Sequence, residues 1–177
     1  MNKKILIVFL LIASVIMGYL TYDSIHSEIV YRERVAQIDK MVIGRLDTLR
    51  KMQMAYRDAN GKYAKNFDEL FTYMHNGKII KLKQVGENDG EVISLEVDSL
   101  FLNPMEEILG SKDADIEHFK LVPPDDTATF IMDARTILQN NVELPVFMIK
   151  DPYPFNKTIK PLQVGDLKNA ITNGNWK

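Results

Sequence analysis

Asn2-Lys3-Lys4-Ile5-Leu6-Ile7-Val8-Phe9-Leu10-Leu11-Ile12-Ala13-Ser14-Val15-Ile16-Met17-Gly18-Tyr19-Leu20-Thr21-Tyr22-Asp23 is the stretch that sets the architecture. Lys3 and Lys4 precede its apolar run, and no charged residue occurs between Ile5 and Tyr22. As a helix, residues 5–22 would extend about 27 Å, close to the hydrocarbon thickness of a bilayer. The reading is a transmembrane anchor. A cleaved signal peptide fits less well, because its apolar region is usually about 7–15 residues and ends in an Ala-x-Ala-like site. Here Ile16-Met17-Gly18 places a bulky Ile where a small residue is required. The chain has no Cys, which excludes a lipoprotein signal. Lys3 and Lys4 predict a cytoplasmic N-terminus. Tyr19 and Tyr22 stand where interfacial aromatics belong at the far end.

Working outward, residues 1–4 are then cytoplasmic, 5–22 transmembrane, 23–34 a solvated stalk, and 35–177 a periplasmic domain. A chain of that size can bury an adequate core, so one α+β domain is expected. Between Ser24 and Ala59 there is no proline, and the only glycine is Gly44. Val35, Ile38, Val42, Leu46, Leu49, Met52 and Tyr56 recur every three or four residues and form one stripe of a long helix. The stripe needs a cover, either the domain's own sheet or a helix of another membrane protein. Asn60-Gly61 should end this helix, with glycine in the left-handed position. Asn66, followed by Glu69, predicts a capped second helix carrying Phe67, Leu70, Phe71 and Met74 on its apolar side. Asn76-Gly77 stops it, with His75 in its last turn.

From Lys78 the period changes towards alternation. Residues 78–85 and 91–97 read as a hairpin around the turn at 86–90. Asn103-Pro104 opens a short helix closed by Gly110. Later strand candidates are 117–122, 128–133, 143–150 and 159–164, separated by Pro123-Pro124-Asp125-Asp126 and Asp151-Pro152-Tyr153-Pro154. The expected sheet is mostly antiparallel.

The chemistry-bearing residues form no recognisable arrangement. There is no Cys nucleophile and no glycine-rich phosphate loop. His26, His75 and His118 are far apart in sequence, with no metal-ligand spacing. The pairs Asp125-Asp126 and Glu106-Glu107 sit beside prolines and read as turn and cap residues. Neither Asp113-Ala114-Asp115 nor Glu87-Asn88-Asp89 has the full acidic loop of a calcium site. No catalytic, cofactor-binding or metal-ligating residue is therefore assigned, and the protein reads as a non-enzyme without a cofactor. The net charge of −2 argues against nucleic acid as a partner. Charge is nonetheless uneven. Residues 86–135 carry thirteen acids and three bases, whereas 28–58 carry seven bases and five acids. The acidic segment is either a solvated face or a docking surface for a basic partner.

Two groups of residues carry a family resemblance. The first comprises Arg45-Leu46, Leu49-Arg50, Gln53, Ala55-Tyr56, Asn60-Gly61-Lys62-Tyr63, Phe67-Asp68-Glu69-Leu70 and Asn76-Gly77-Lys78. The second is the tail, Val164-Gly165-Asp166-Leu167 and Gly174-Asn175-Trp176. Val122-Pro123 and Pro145-Val146-Phe147 lie between and agree. Together they resemble a group of small single-pass inner-membrane proteins of Bacteroidetes-type bacteria, often encoded near TonB-type energy-transduction components. The resemblance implies an accessory or scaffolding subunit of an inner-membrane complex and supplies no catalytic residue. A looser resemblance is to type IV pilins and pseudopilins, through the apolar helix and Tyr56, Asn60, Gly61 and Tyr63. This chain lacks the processing site with its early Glu, which argues against filament assembly.

Three functions stand as expectations: the complex subunit, a pseudopilin-like structural protein, and a periplasmic ligand-binding domain. For the first, partners are the membrane and other inner-membrane proteins, and Ala13, Ser14 and Gly18 are the small residues available for a helix interface in the bilayer. The sequence leaves oligomeric state open. Trp176, the only Trp, is expected to close an edge of the core. Mass spectrometry of the membrane fraction should find a chain that retains Lys3 and Lys4. A soluble product beginning near Tyr19 or Asp23 would refute the anchor.

Overall fold

The computed structural model describes residues 3–84, 97–156 and 160–176. The fold is α+β, with a long N-terminal helix, short further helices and antiparallel strands. The chain divides into two compact units, Met1–Lys40 and Met41–Lys177. Helix α1, Lys3–Asn60, begins in the first and ends in the second. With no proline in it, no backbone N–H is missing from its ladder.

In the first unit, α1 is long and apolar enough to cross a membrane. Ile7, Phe9, Leu11, Val15, Met17 and Leu20 are all exposed. Thr21 Oγ1 donates to the Met17 carbonyl at 2.8 Å, so this hydroxyl is satisfied within the helix. Tyr22 and His26, one turn apart, stack with ring centroids 5.8 Å apart. Beyond them the Arg32–Glu28 pair (2.8 Å) marks polar helix surface. Val35 and Ile38 are buried.

The second unit is built on the rest of α1. Val42, Leu46, Leu49, Met52 and Tyr56 are buried, and Leu46, Leu49 and Met52 have no exposure at all. Gly61, at φ 71°, ends the helix. Its N–H donates to the Arg57 carbonyl at 2.7 Å, a left-handed C-terminal cap. The chain then reverses. Tyr63 and Ala64 are buried, and the Tyr63 ring lies 4.6 Å from that of Phe147.

Helix α2, Phe67–Asn76, is capped by Asn66, whose side chain accepts the Glu69 N–H at 2.8 Å. Glu69 reaches back to the Lys65 N–H at 3.0 Å, one residue beyond the usual capping-box partner. Leu70, Phe71 and Met74 form its buried side. Strands β1, Ile79–Gln84, and β2, Val97–Leu102, pair antiparallel, with Ile79 opposite Leu102. The turn at 86–90 and residues 91–96 of the expected hairpin lie outside the described residues, and the return strand extends to Leu102. Helix α3, Pro104–Leu109, has Asn103 as its cap and Gly110 in the left-handed conformation. It packs against α2.

The expected strand at 117–122 is corrected: residues Glu117–Lys120 form a single 3-10 turn. The physical reason is the spacing of the apolar residues. Ile116 and Val122 are buried and Phe119 half-buried, a step of three that suits a 3-10 turn better than alternation. Only an isolated bridge, Leu121 to Thr129, remains of the extended pairing.

Strands β3, Ile131–Gln139, β4, Val142–Lys150, and β5, Gln163–Gly165, form an antiparallel sheet in that spatial order. The strand expected at 128–133 begins at Ile131 and runs on to Gln139. The one expected at 159–164 narrows to Gln163–Gly165, and 157–159 lie outside the described residues. Asn140 and Asn141, at φ 52° and 63°, make the two-residue turn of the β3–β4 hairpin. Positive φ at both positions is the type I′ geometry, whose twist matches paired strands, and Asn tolerates it.

Phe147 and Ile149 of β4 alternate into the core, paired with Ala134 and Met132 of β3. Gln53 of α1 touches the Met132 sulfur at 3.1 Å, so this face of the sheet meets the helix. The tail returns along β5. The Gly165 N–H donates to the Asn173 carbonyl, and the Asn175 N–H to that of Gln163. A Cβ on Gly174 would strike the Trp176 ring, so the half-buried Trp176 packs directly on that backbone.

Replacing Leu49 by Ala should lower stability by about 2–5 kcal/mol, because the site is fully enclosed. Met41→Ala, on the exposed side of the same helix, should change it by less than about 0.5 kcal/mol. Urea midpoints followed by circular dichroism check the contrast.

Candidate functional site

Three polar assemblies hold the second unit together, and none of their residue sets is contiguous in sequence. The first is centred on Arg45, which α1 places with its guanidinium largely shielded, at 13% side-chain exposure. Its Nη1 donates to the Leu121 carbonyl at 2.6 Å and to Asp126 Oδ1 at 2.5 Å. Its Nη2 lies 2.7 Å from His118 Nε2. A guanidinium only donates, so this contact assigns Nε2 as an acceptor and puts the imidazole proton on Nδ1. That Nδ1 faces Asp126 Oδ2 at 3.6 Å. Asp126 holds its position through a left-handed backbone, φ 51°, and an N–H bond to the Val122 carbonyl. The Arg45 hydrogen bond holds the Asp126 carboxyl below its ordinary value, with His118 adding a smaller pull the same way.

The second assembly is Gln53, which is completely buried. Its amide donates to the Ala64 carbonyl and accepts the Ala64 N–H, both at 3.0 Å. This two-point bond replaces the strand partner that a buried backbone segment would otherwise require. The third is Tyr56, whose hydroxyl donates to Glu69 Oε1 at 2.5 Å. Burial, then the Glu69 carboxylate, push the Tyr56 hydroxyl up to about 12. The same bond, followed by the Lys65 N–H, lowers Glu69.

The Arg45 assembly joins an imidazole to a carboxylate, as a catalytic triad does, but puts a guanidinium where the triad has its nucleophile. The His118 Nε2 lone pair is engaged by Arg45 in this arrangement. Arg45 binds a carbonyl, a carboxylate and an imidazole at once. The arrangement clamps the 3-10 turn and the Pro123–Asp126 turn onto α1. Sequence reading placed His118 in a strand and Asp126 in a turn. Their approach to Arg45, across separations of 73 and 81 residues, had no signal in spacing.

Among the described residues, no three or more of His, Cys, Asp and Glu come together as a metal site. Asp113 and Asp115 lie within that search, and residues 87–89 lie outside the described residues. An open groove of about 720 Å³ runs beside Arg50, Met54, Ala55, Tyr73, Lys78 and Ile108. Arg50 and the neighbouring Lys51 are both engaged by Asp47, at 3.0 and 3.3 Å.

In the first unit Ala13 is half-buried, and Ser14 and Gly18 are exposed. Ser14 and Gly18 are four residues apart and share a face. A side chain added at Gly18 would meet nothing within 4 Å. The seven residues from Val35 to Tyr56 assigned to the helix stripe are all buried. Compared with known proteins, the chain matches no protein-family model, no curated protein and no solved structure.

The pH dependence follows from these assemblies. Asp126 has a depressed folded value, so its contribution is complete above the ordinary 3.8 and is lost as pH falls through the lower folded value. The urea midpoint of Asp126→Asn should lie below that of the wild type at neutral pH. The gap should close in acid, below 3.8. Tyr56 behaves oppositely. Its value is raised from 10.0, so its contribution is complete below 10.0 and is lost as pH rises through about 12. Wild type and Tyr56→Phe should therefore converge in strong alkali.

Proposed function

We propose that this protein is a non-catalytic accessory or scaffolding subunit of an inner-membrane complex, anchored by the first part of α1. The observation that carries the reading is the exposed apolar surface from Ile7 to Tyr22, uninterrupted by charge. Burying an exposed Leu, Ile, Val, Phe or Met side chain is worth about 1.5–3 kcal/mol, so this surface strongly favours an apolar medium. Residues 5–22 contain no Asp, Glu, His, Lys or Arg. A helix that relays protons needs one at depth, so this span supplies location and lateral contacts rather than transport. Lys3 and Lys4 support an N-in orientation, which puts the second unit in the periplasm.

The Arg45, Gln53 and Tyr56 assemblies serve to hold elements together, which suits a domain that presents surface to partners. A TonB-type energy-transducing motor is the complex to which the family resemblance points. Contacts in the bilayer run through the face of Ser14 and Gly18, with Ala13 beside it, where small side chains let backbones approach.

Affinity purification in mild detergent should recover other inner-membrane subunits with the wild-type chain. Gly18→Leu keeps the apolar length and meets open space within its own chain, yet would hold neighbouring helices apart. It should reduce recovery of those subunits without shifting the urea midpoint of the outer domain. Recovery of the chain alone, together with no cellular effect of Gly18→Leu, would overturn the reading.

A further inference from the structure

The two ends of the β3-β4-β5 sheet are finished differently. At β5, the chain's own tail lies alongside, with a bridge between Val164 and Gly174 and backbone bonds on either side of it. At the other end, β3 runs from Ile131 to Gln139, and no described strand pairs with its outer side. The preceding segment covers it only as far as Phe130, whose N–H donates to the Lys120 carbonyl. An open strand of this length, without proline, is a template for another strand.

Which β3 groups point outward is settled by three independent features. The type I′ turn makes Gln139 and Val142 a hydrogen-bonded pair, so odd-numbered β3 residues bond to β4. Thr136 lies opposite Pro145, which has no N–H to give. The Ala134 N–H is taken by the Asp133 side chain at 2.8 Å rather than by β4. The N–H and C=O groups of Met132, Ala134, Thr136 and Leu138 therefore face the open edge.

We infer that this edge pairs antiparallel with β3 of a second copy of the chain, about a two-fold axis at Ala134. Outward groups must meet outward groups, which restricts the registers to steps of one two-fold position. A two-fold axis at 133 sets Asp133 against itself. An axis at 135 sets Arg135 against itself. Axes at 132 or 136 leave both charges opposite uncharged residues. Only the axis at 134 places Asp133 opposite Arg135 of the second copy, twice over, and Ile131 opposite Ile137 of the second copy. Opposite charges and β-branched pairs stabilise cross-strand neighbours, and like charges destabilise them. Arg135 at present donates to the Leu167 carbonyl at 2.7 and 2.9 Å. A carboxylate competes well for the same donor, because charge-assisted bonds are stronger than neutral ones. On pairing, the Ala134 N–H turns from its own Asp133 carboxylate to the Ala134 carbonyl of the second copy, which leaves that carboxylate to Arg135. Asp133, Arg135 and Ile131 are exposed, and Ile131 is 49% so.

The register gives a decisive test in the full chain, which has no native Cys. Within one strand, residues 131 and 137 are about 20 Å apart and cannot join. Ile131→Cys/Ile137→Cys should form a covalent dimer in membranes under mild oxidation, seen on a non-reducing gel. Neither single variant should do so. In detergent, light scattering should show a wild-type dimer. Asp133→Arg should weaken it about tenfold or more, and Asp133→Arg/Arg135→Asp should restore it. Gly18→Leu should leave this dimer intact, which separates it from contacts in the bilayer. A monomeric wild type, single-cysteine dimers as abundant as the double, or failure of the charge exchange to rescue a folded chain would each overturn the inference.

Discussion

The buried side of α1 between Val42 and Tyr56 is the surface on which the second unit is assembled. Leu46, Leu49 and Met52 are sealed from solvent. The Phe147 and Ile149 face of the sheet shares this core, joined to the helix through Tyr63 and Gln53. Because the core is laid along one helix, each later segment must be attached to that helix individually. Gln53 fixes the reversal after Gly61, Tyr56 fixes α2 through Glu69, and Arg45 fixes the turns before β3. Arg50 reaches the tail at Asn173. These bonds supply direction where apolar packing alone would supply only adhesion.

The same helix serves two chemistries. Its first part exposes apolar side chains on every side, whereas its second part confines them to a stripe. A helix apolar all round suits a membrane span or a large protein interior, and one with a stripe suits the surface of a protein core. The sheet has a comparable asymmetry. Its β5 end is finished by the tail, with Trp176 packed on Gly174, while its β3 end presents backbone groups outward.

Much of the fold was legible in sequence wherever a local rule acts alone. The left-handed Gly61 and Gly110, the Asn66 and Asn103 caps, and the proline opening α3 are each decided by backbone conformation and nearest neighbours. The failures have physical causes. Residues 117–122 alternate well enough for a strand, but Ile116 and Val122 are buried and Phe119 half-buried, in steps of three, by what surrounds them. Strand β3 continues to Gln139 through Arg135 and Thr136, held by nine paired positions with β4 rather than by its own pattern. The polar assembly of Arg45, His118 and Asp126 left no trace, since the three taken singly read as ordinary helix, strand and turn residues.

The sequence by itself determined the apolar N-terminal helix, the stripe that follows it, the caps and stops, and the α+β class. Each of these depends on periodicity or on one residue's allowed dihedrals, which are local properties. Only the tertiary structure decided which side chains meet across long separations. It brought His118 and Asp126 to Arg45, gave Gln53 a backbone to replace its water, and set the parity that turns the even-numbered groups of β3 outward. Those outcomes depend on the register between strands and on the docking of loops onto α1. Both are settled by burial and hydrogen-bond satisfaction over the whole domain, which no short window of sequence contains.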